Sequence, residues 1–267
     1  MKRIQLFEFE DFHWFPKSWR TSMTHLIVVL QKMMGVPQVL ASLLNDVKKQ
    51  YPFDNIVDTG SGSGGALIDA VKQYNSKHGD SPISLTLTDL NPHPEFVEKI
   101  NSQKDPHISY RSESVDARHL DQAPAGLKTM MNSFHHMPPK IARSILKSAH
   151  ESKQPLLIYE MAENKVPLVA WWLFLPISLA ILIIMTWAMT PFVRPLTGKQ
   201  LLFTYLIPVI PLAYAWDGQA SSVRMYTFDD VEELLDGLKD TAYAWTVDRA
   251  LNKKRKPVGY YILGLPK

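Results

Sequence analysis

The run Asn55-Ile56-Val57-Asp58 has the apolar character of a short strand and leads straight into Thr59-Gly60-Ser61-Gly62-Ser63-Gly64-Gly65. Glycine lets a backbone turn tightly and pass close to a ligand. A helical pattern follows, Ala66–Lys77, and the first turn of a helix offers N–H groups that have no intrahelical partner. Strand, glycine turn and helix in this order commit the chain to a βα unit, and the unit recurs downstream. Ile83–Thr88 alternates and is β-branched, closing at Asp89, and Pro94–Ser102 reads as a helix. Ile108–Val115 reads as a strand closing at Asp116, and Leu127–Met131 as one leading into Asn132-Ser133-Phe134-His135-His136. After Pro138 and Pro139 comes a helix, Lys140–Ser152, then a strand, Pro155–Tyr159, closing at Glu160. Strands alternating with helices predict a doubly wound α/β fold around a mostly parallel sheet.

The flanks complete the picture. A first helix is expected through His25–Val29 to Met34, ended by Gly35, and a second, Gln38–Gln50, opens near Pro37. Near the other end, Phe228–Lys239 carries Asp229 and Asp230 in its first turn, where negative charge is favoured. Ala242–Asp248 and Val258–Gly264 read as two closing strands joined by a basic turn. A chain of 267 residues, 46% of them hydrophobic, holds one large domain with an appendage. A net charge of +3 does not fit a protein that coats nucleic acid. The absence of cysteine excludes disulfides, thiolate zinc sites and cysteine nucleophiles. Glu8, Glu10 and Asp11 sit where a signal peptide needs an apolar core, so none is expected.

Glycine spacing alone is ambiguous. Gly60-x-Gly62-x-x-Gly65 fits a dinucleotide fingerprint, and Asp58-x-Gly60-x-Gly62-x-Gly64 fits a methyltransferase loop. Asp89 and Asp116 say more. Either alone is an ordinary loop or cap residue. Together, at successive strand ends, they suit a nucleoside, one carboxylate for ribose hydroxyls and one for an adenine amino group.

These residues carry a family resemblance. Ile56-Val57-Asp58-Thr59-Gly60-Ser61-Gly62-Ser63-Gly64 resembles motif I of class I methyltransferases. Thr88-Asp89-Leu90 and Val115-Asp116-Ala117 resemble their second and third motifs, and Met131–Pro138 their fourth-strand segment. The resemblance covers roughly Asp54–Glu160 and Thr227–Lys267, with a longer Asp58–Asp89 stretch than usual. It implies a seven-stranded sheet with an antiparallel last strand, and S-adenosylmethionine as the methyl donor. The implied cofactor-binding residues are Asp58, Thr59, Gly60, Ser61, Gly62, Gly64, Asp89, Leu90, Asp116, Ala117 and Asn132. Candidate bases near the rim are His135, His136, Glu160 and Asp217. Adjacent histidines on a strand end would point opposite ways, so one at most faces the ligand. No further ligands at metal-binding spacing are evident, and no metal is expected. Trp14-Phe15-Pro16 with Arg20, and Trp216-Asp217-Gly218 with Ser221, Ser222 and Arg224, resemble segments of a bacterial group of the same enzymes. They would shape an acceptor pocket, or be a helix-entry staple and an Asp217–Arg224 salt bridge.

Between Lys165 and Arg194 no residue is charged, and a second uncharged run, Gln200–Trp216, is broken by Pro208 and Pro211. The first run is long enough to cross a bilayer, which takes about 20 residues. Both runs lie between strands of one sheet, so the chain crosses twice or not at all. A hydrophobic helical hairpin after the fifth strand, seated in or on one leaflet, is expected; the alternatives are a buried lid or a homodimer face. The turn Lys253-Lys254-Arg255-Lys256 on the ligand rim suits an anionic membrane surface, or is simply solvated. The expected organisation is a helical segment 1–52, a nucleotide-binding core 53–164, the hairpin 165–226 and core-closing elements 227–267. The reading is a methyltransferase acting on a small or lipid-like acceptor, cytoplasmic or on the cytoplasmic side of a membrane. Two other readings stay open, a nicotinamide-dependent oxidoreductase and a non-catalytic membrane-anchored scaffold.

Overall fold

The computed structural model describes residues 1–267. In chain order the elements are α1 (Lys17–Met33), α2 (Val36–Gln50), β1 (Asn55–Thr59), α3 (Gly65–Lys77), β2 (Ser84–Thr88), α4 (Pro94–Asn101) and β3 (Ile108–Tyr110). Then come β4 (Leu127–Met131), α5 (Pro139–Glu151), β5 (Leu156–Glu160), α6 (Leu168–Met189), α7 (Gly198–Leu201) and α8 (Val209–Arg224). The chain closes with α9 (Phe228–Leu234), β6 (Tyr243–Leu251) and β7 (Pro257–Pro266). They form two compact units, Gly35–Ala162 with Phe228–Lys267, and Met1–Met34 with Glu163–Thr227.

The first unit is built on a seven-stranded sheet of order β3-β2-β1-β4-β5-β7-β6. β1 to β5 are parallel; β7 runs antiparallel to both β5 and β6. β6 is therefore parallel to the first five, and the basic turn after it lies at their carboxyl edge. Strands buried on both faces need continuous apolar runs. Ile56, Leu85, Leu87, Leu127 and Leu157 supply them against Leu67, Val71 and Tyr74 of α3. Each such side chain contributes about 1.5–3 kcal/mol on burial. α2 lays Val36, Val39 and Leu40 against Ala66, Ala70, Tyr159 and Val258.

Two expectations are corrected here. β3 stops at Tyr110, so Asp116 does not close it. Residues 111–116 form an irregular extension hooked to β2, with Arg111 N–H donating to Leu87 O (3.0 Å) and Val115 N–H to Asp89 O (2.9 Å). Likewise β4 does not continue to the histidines. Asn132 turns left-handed at φ 55°, and Phe134–His136 forms a 3-10 turn. His135 and His136 therefore do not point to opposite faces; their rings lie 4.1 Å apart.

The second unit is a helical bundle. α6 and α8 pack antiparallel: Trp171 and Leu175 meet Val223, Gly218 faces Leu182, and Met189 meets Ile210. α1 adds Met23, Leu26 and Val29 to the same cluster as Met189, Ala213 and Tyr214. The uncharged run Gln200–Trp216 is not one helix. α7 passes into a π-helical turn, Leu202–Leu206, and the chain bends by 80° at Ile207-Pro208 before α8, as a proline without a free N–H requires. The N-terminal segment runs along α8. Ile4 N–H donates to Val223 O (2.9 Å), and Phe7 stacks on Trp216 at 4.9 Å. The expected Asp217–Arg224 bridge is replaced. Arg224 pairs with Glu8 (2.5 Å) and Asp11 (2.6 Å), while Asp217 accepts the N–H groups of Phe9 (2.7 Å) and Glu10 (3.2 Å). Both charges of α8 are thus buried with partners, as burial demands.

β7 closes over β5 with no room to spare at Gly259, whose φ is 82° and where a β-carbon would collide with the carbonyl of Glu160. Gly259→Ala is expected to destabilise the sheet unit by about 1–3 kcal/mol, read as a lower urea midpoint. An unchanged midpoint would contradict this register.

Candidate active site

The glycine loop is stitched beneath itself by side chains from three strands. Asp58 Oδ1 accepts from the Thr129 hydroxyl (2.6 Å), and Oδ2 from the Ser61 hydroxyl (2.7 Å). Ser61 N–H donates to Thr88 O (3.0 Å) and Thr88 N–H to Ser61 Oγ (3.1 Å), while the Thr88 hydroxyl donates to Asp58 O (2.8 Å). Thr59 Oγ1 donates to Thr129 O (3.0 Å). Asp58, only 2% exposed, therefore lies under the loop rather than on it. Burial pushes its carboxyl up to about 7, and the nearby charge of Asp89 adds to the rise, against the two hydroxyl hydrogen bonds.

Above this brace the loop turns left-handed at Gly60, Gly62 and Gly64. At Gly64 a β-carbon would strike Ile68; at Gly62 it would meet nothing within 4 Å, so the backbone there borders open space. Asp89 lies beside Gly62, accepting its N–H at Oδ2 (3.1 Å) and that of Asn91 at Oδ1 (2.9 Å). Leu90 is exposed next to it. The 111–116 extension brings Asp116 and Ala117 to the same carboxyl edge, with the Ser114 hydroxyl donating to Leu90 O (2.6 Å). Asp116 is bound by Arg118, whose hydrogen bond holds its carboxyl below the usual range. Asn132 joins the ends of β4 and β5, donating its N–H to Tyr159 O and accepting that of Met161 at Oδ1, both at 2.8 Å.

Two residues here were not legible in sequence. The Tyr110 hydroxyl donates to Gly62 O (3.0 Å), and burial pushes its acidity far down. Ser133 Oγ, a buried atom without a hydrogen-bond partner, lies 3.3 Å from where a β-carbon of Gly60 would sit. Both depend on chain reversals that no periodicity announces.

At the end of β5, the fully buried Glu160 clamps His135. Oε1 accepts its backbone N–H (2.9 Å) and Oε2 meets ring Nδ1 (2.8 Å). A carboxylate at Nδ1 fixes ring and tautomer and leaves Nε2 as the basic nitrogen. His136 is half-buried beside it. Asp217 belongs to the helical unit, where its carboxylate caps the N-terminal segment as described.

A seven-stranded sheet with an antiparallel β7 between β5 and β6 is the class I methyltransferase fold. No family model and no curated protein matches the chain. Among solved structures, a plantazolicin methyltransferase, BamL, determined with a desmethyl plantazolicin analogue and SAH, is 11% identical at a TM-score of 0.49; the match covers 93% of this chain and 97% of that one. An O-methyltransferase family protein from Burkholderia thailandensis is 13% identical at 0.48, covering 90% and 57%. An enzyme described as a pericyclic reaction enzyme is 12% identical at 0.45, covering 81% and 44%. The chain thus spans about half the length of the last two. The sheet order, not these likenesses, defines the fold.

The Asp58 brace carries a pH signature. Its folded value, near 7, lies above its unfolded value of 3.8. The stability it contributes is whole below about pH 4 and is lost as pH rises through about 7, at up to about 1.4 kcal/mol per pH unit. Urea midpoints at pH 5 and pH 8 should fall for the wild type and fall less for Asp58→Asn. Equal falls would place the titration elsewhere.

Proposed function

We propose that the chain is an S-adenosylmethionine-dependent methyltransferase acting on a lipophilic acceptor at a membrane surface. The observation that carries the first part is the convergence of the Gly60–Gly64 loop, Asp89 and Asp116 at one edge of this sheet. Ligands of open α/β sheets bind at that edge. The open space over Gly62 fits a nucleoside lying across the loop. Asp89 would take the ribose hydroxyls, Asp116 and the Ala117 backbone the adenine edge, and Asn132 with Ser133 the amino-acid end. Leu90 would pack on the base. Asp58, Thr59 and Ser61 act from below by fixing the loop.

When bound, the donor supplies a methyl group on a sulfonium, with a neutral thioether as leaving group. The protein's part is alignment of donor and acceptor and removal of the acceptor's proton. His135 is the base we assign, with Glu160 holding its ring and balancing the imidazolium formed. His136 lines the same turn. Asp217 is a positioning residue of the N-terminal segment rather than a base.

The helical unit supports the membrane part. α6 is long and apolar enough to cross a membrane, about 33 Å at 1.5 Å per residue. Its outward side includes Leu173, Ile177, Ile181 and Ile184, while its buried side includes Thr186, whose hydroxyl returns to the Leu182 carbonyl of the same helix. A helix that exposes isoleucine and hides threonine is matched to lipid, not water. Trp172 and Trp187 near its two ends suit an interface. We place the unit in one leaflet, with α6 lying along it rather than across the bilayer, on the cytoplasmic face, with the exposed Lys253–Lys256 turn adding attraction to anionic headgroups of about 1 kcal/mol per residue.

Asp89→Asn and Asp89→Ala should weaken S-adenosylmethionine binding tenfold or more, since hydrogen bonds to a charged group contribute about 1.5–3 kcal/mol. Wild-type affinity in a folded variant would remove Asp89 from the site. The wild type should also float with liposomes, more completely with anionic lipid. Ile177→Gln with Ile181→Gln and Ile184→Gln should release it, and Lys253–Lys256 changed to Gln should lower only the anionic increment. A wild type that ignores vesicles would overturn the membrane part.

A further inference from the structure

Both carboxylate oxygens of Asp116 are held by Arg118. Arg118 Nε donates to Oδ1 (3.0 Å) and Oδ2 (2.9 Å), and Nη2 donates to Oδ2 (2.5 Å). The Arg118 backbone N–H also donates to Oδ1 (2.9 Å). Three N–H groups, with Nε shared between the two oxygens, thus occupy both oxygens of the carboxylate. The pair is local, two residues apart on the irregular segment past β3, and Arg118 is exposed while Asp116 is half-buried. The guanidinium therefore has solvent on its far side and room to leave.

Resting on the cofactor reading above, we propose that Arg118 is a displaceable occupant of the adenine subsite: a purine amino group reaches Asp116 only by expelling the guanidinium. Three points support it. An adenine amino group and a guanidinium present the same chemistry to a carboxylate, N–H donors in one plane. Arg118 holds the stronger hand by charge, which keeps the Asp116 carboxyl below its usual range. The pair is nevertheless solvent-exposed, where ion pairs are worth little, so a purine that gains contacts elsewhere on the loop can win. Arg118 then sets donor affinity by competition. Its place in the site is that of a gate, and it touches no reacting atom.

Isothermal titration of the full chain with S-adenosylhomocysteine tests this. Arg118→Gln and Arg118→Ala should bind it two- to fivefold more tightly than the wild type, the range an exposed ion pair allows. Arg118→Lys, which keeps the charge but not the paired geometry, should fall between. In an Asp116→Ala background the Arg118 change should have no effect. The Arg118 Nε–H resonance should be protected from exchange in the protein alone and lose protection on titration. Unchanged or weaker binding by Arg118→Gln would overturn the gate, weaker binding placing the guanidinium on the ligand instead. A wild type that binds no S-adenosylhomocysteine would overturn the cofactor reading itself, a separate outcome from failure of the gate.

Discussion

The buried carboxylate of Asp58 is the point on which the candidate site turns. It takes one hydroxyl from the loop and one from β4, while Thr88 on β2 bonds both its main chain and Ser61. Three neighbouring strands are thereby tied to one glycine turn. A loop rich in glycine loses more conformational freedom on ordering than any other segment of its length. The hydrogen bonds beneath it offset that loss and leave its upper surface, at Gly62, open. Placing a carboxylate there has a consequence: desolvation drives it toward the neutral form, against the two hydroxyl hydrogen bonds, which favour the charged one.

Much of this architecture was legible in the chain. The βα alternation from Asn55 to Glu160 gave the sheet and its first five strands because fully buried parallel strands must be apolar runs, but not where each strand ends. What periodicity missed lies at those ends. The ladder stops at Tyr110, where Arg111-Ser112-Glu113-Ser114 turn the composition polar, and the apolar Val115 beyond them does not belong to the strand. Asn132 turns left-handed, an option open to any residue but easier for Asn, and it changes where both histidines point. Asp58 lies buried beneath the loop, a placement the pattern does not give, because a strand's last residues alternate in and out and nothing in the sequence says which way a terminal carboxylate goes.

The helical unit shows the same limit on a larger scale. Sequence separated α1 from the apolar insertion by more than a hundred residues, yet α1 packs with α6 and α8, and the N-terminal segment supplies carboxylates to Arg224 and backbone N–H groups to Asp217. Apolar content announced the insertion; it did not announce its partner, because α1 carries Lys17, Arg20 and Lys32 among its leucines and valines. The buried Thr186 of α6 is a further detail that composition hides, since a threonine counts equally inside or outside.

The central claim is that this sheet edge holds an adenosyl donor. The most direct measurement is saturation of the purified chain by S-adenosylmethionine in isothermal titration, with NAD as a parallel ligand. The account predicts one site per chain for S-adenosylmethionine, abolished by Gly62→Val while helical content persists, and no heat with NAD. Binding of NAD in its place, or of neither by a folded chain, would contradict it.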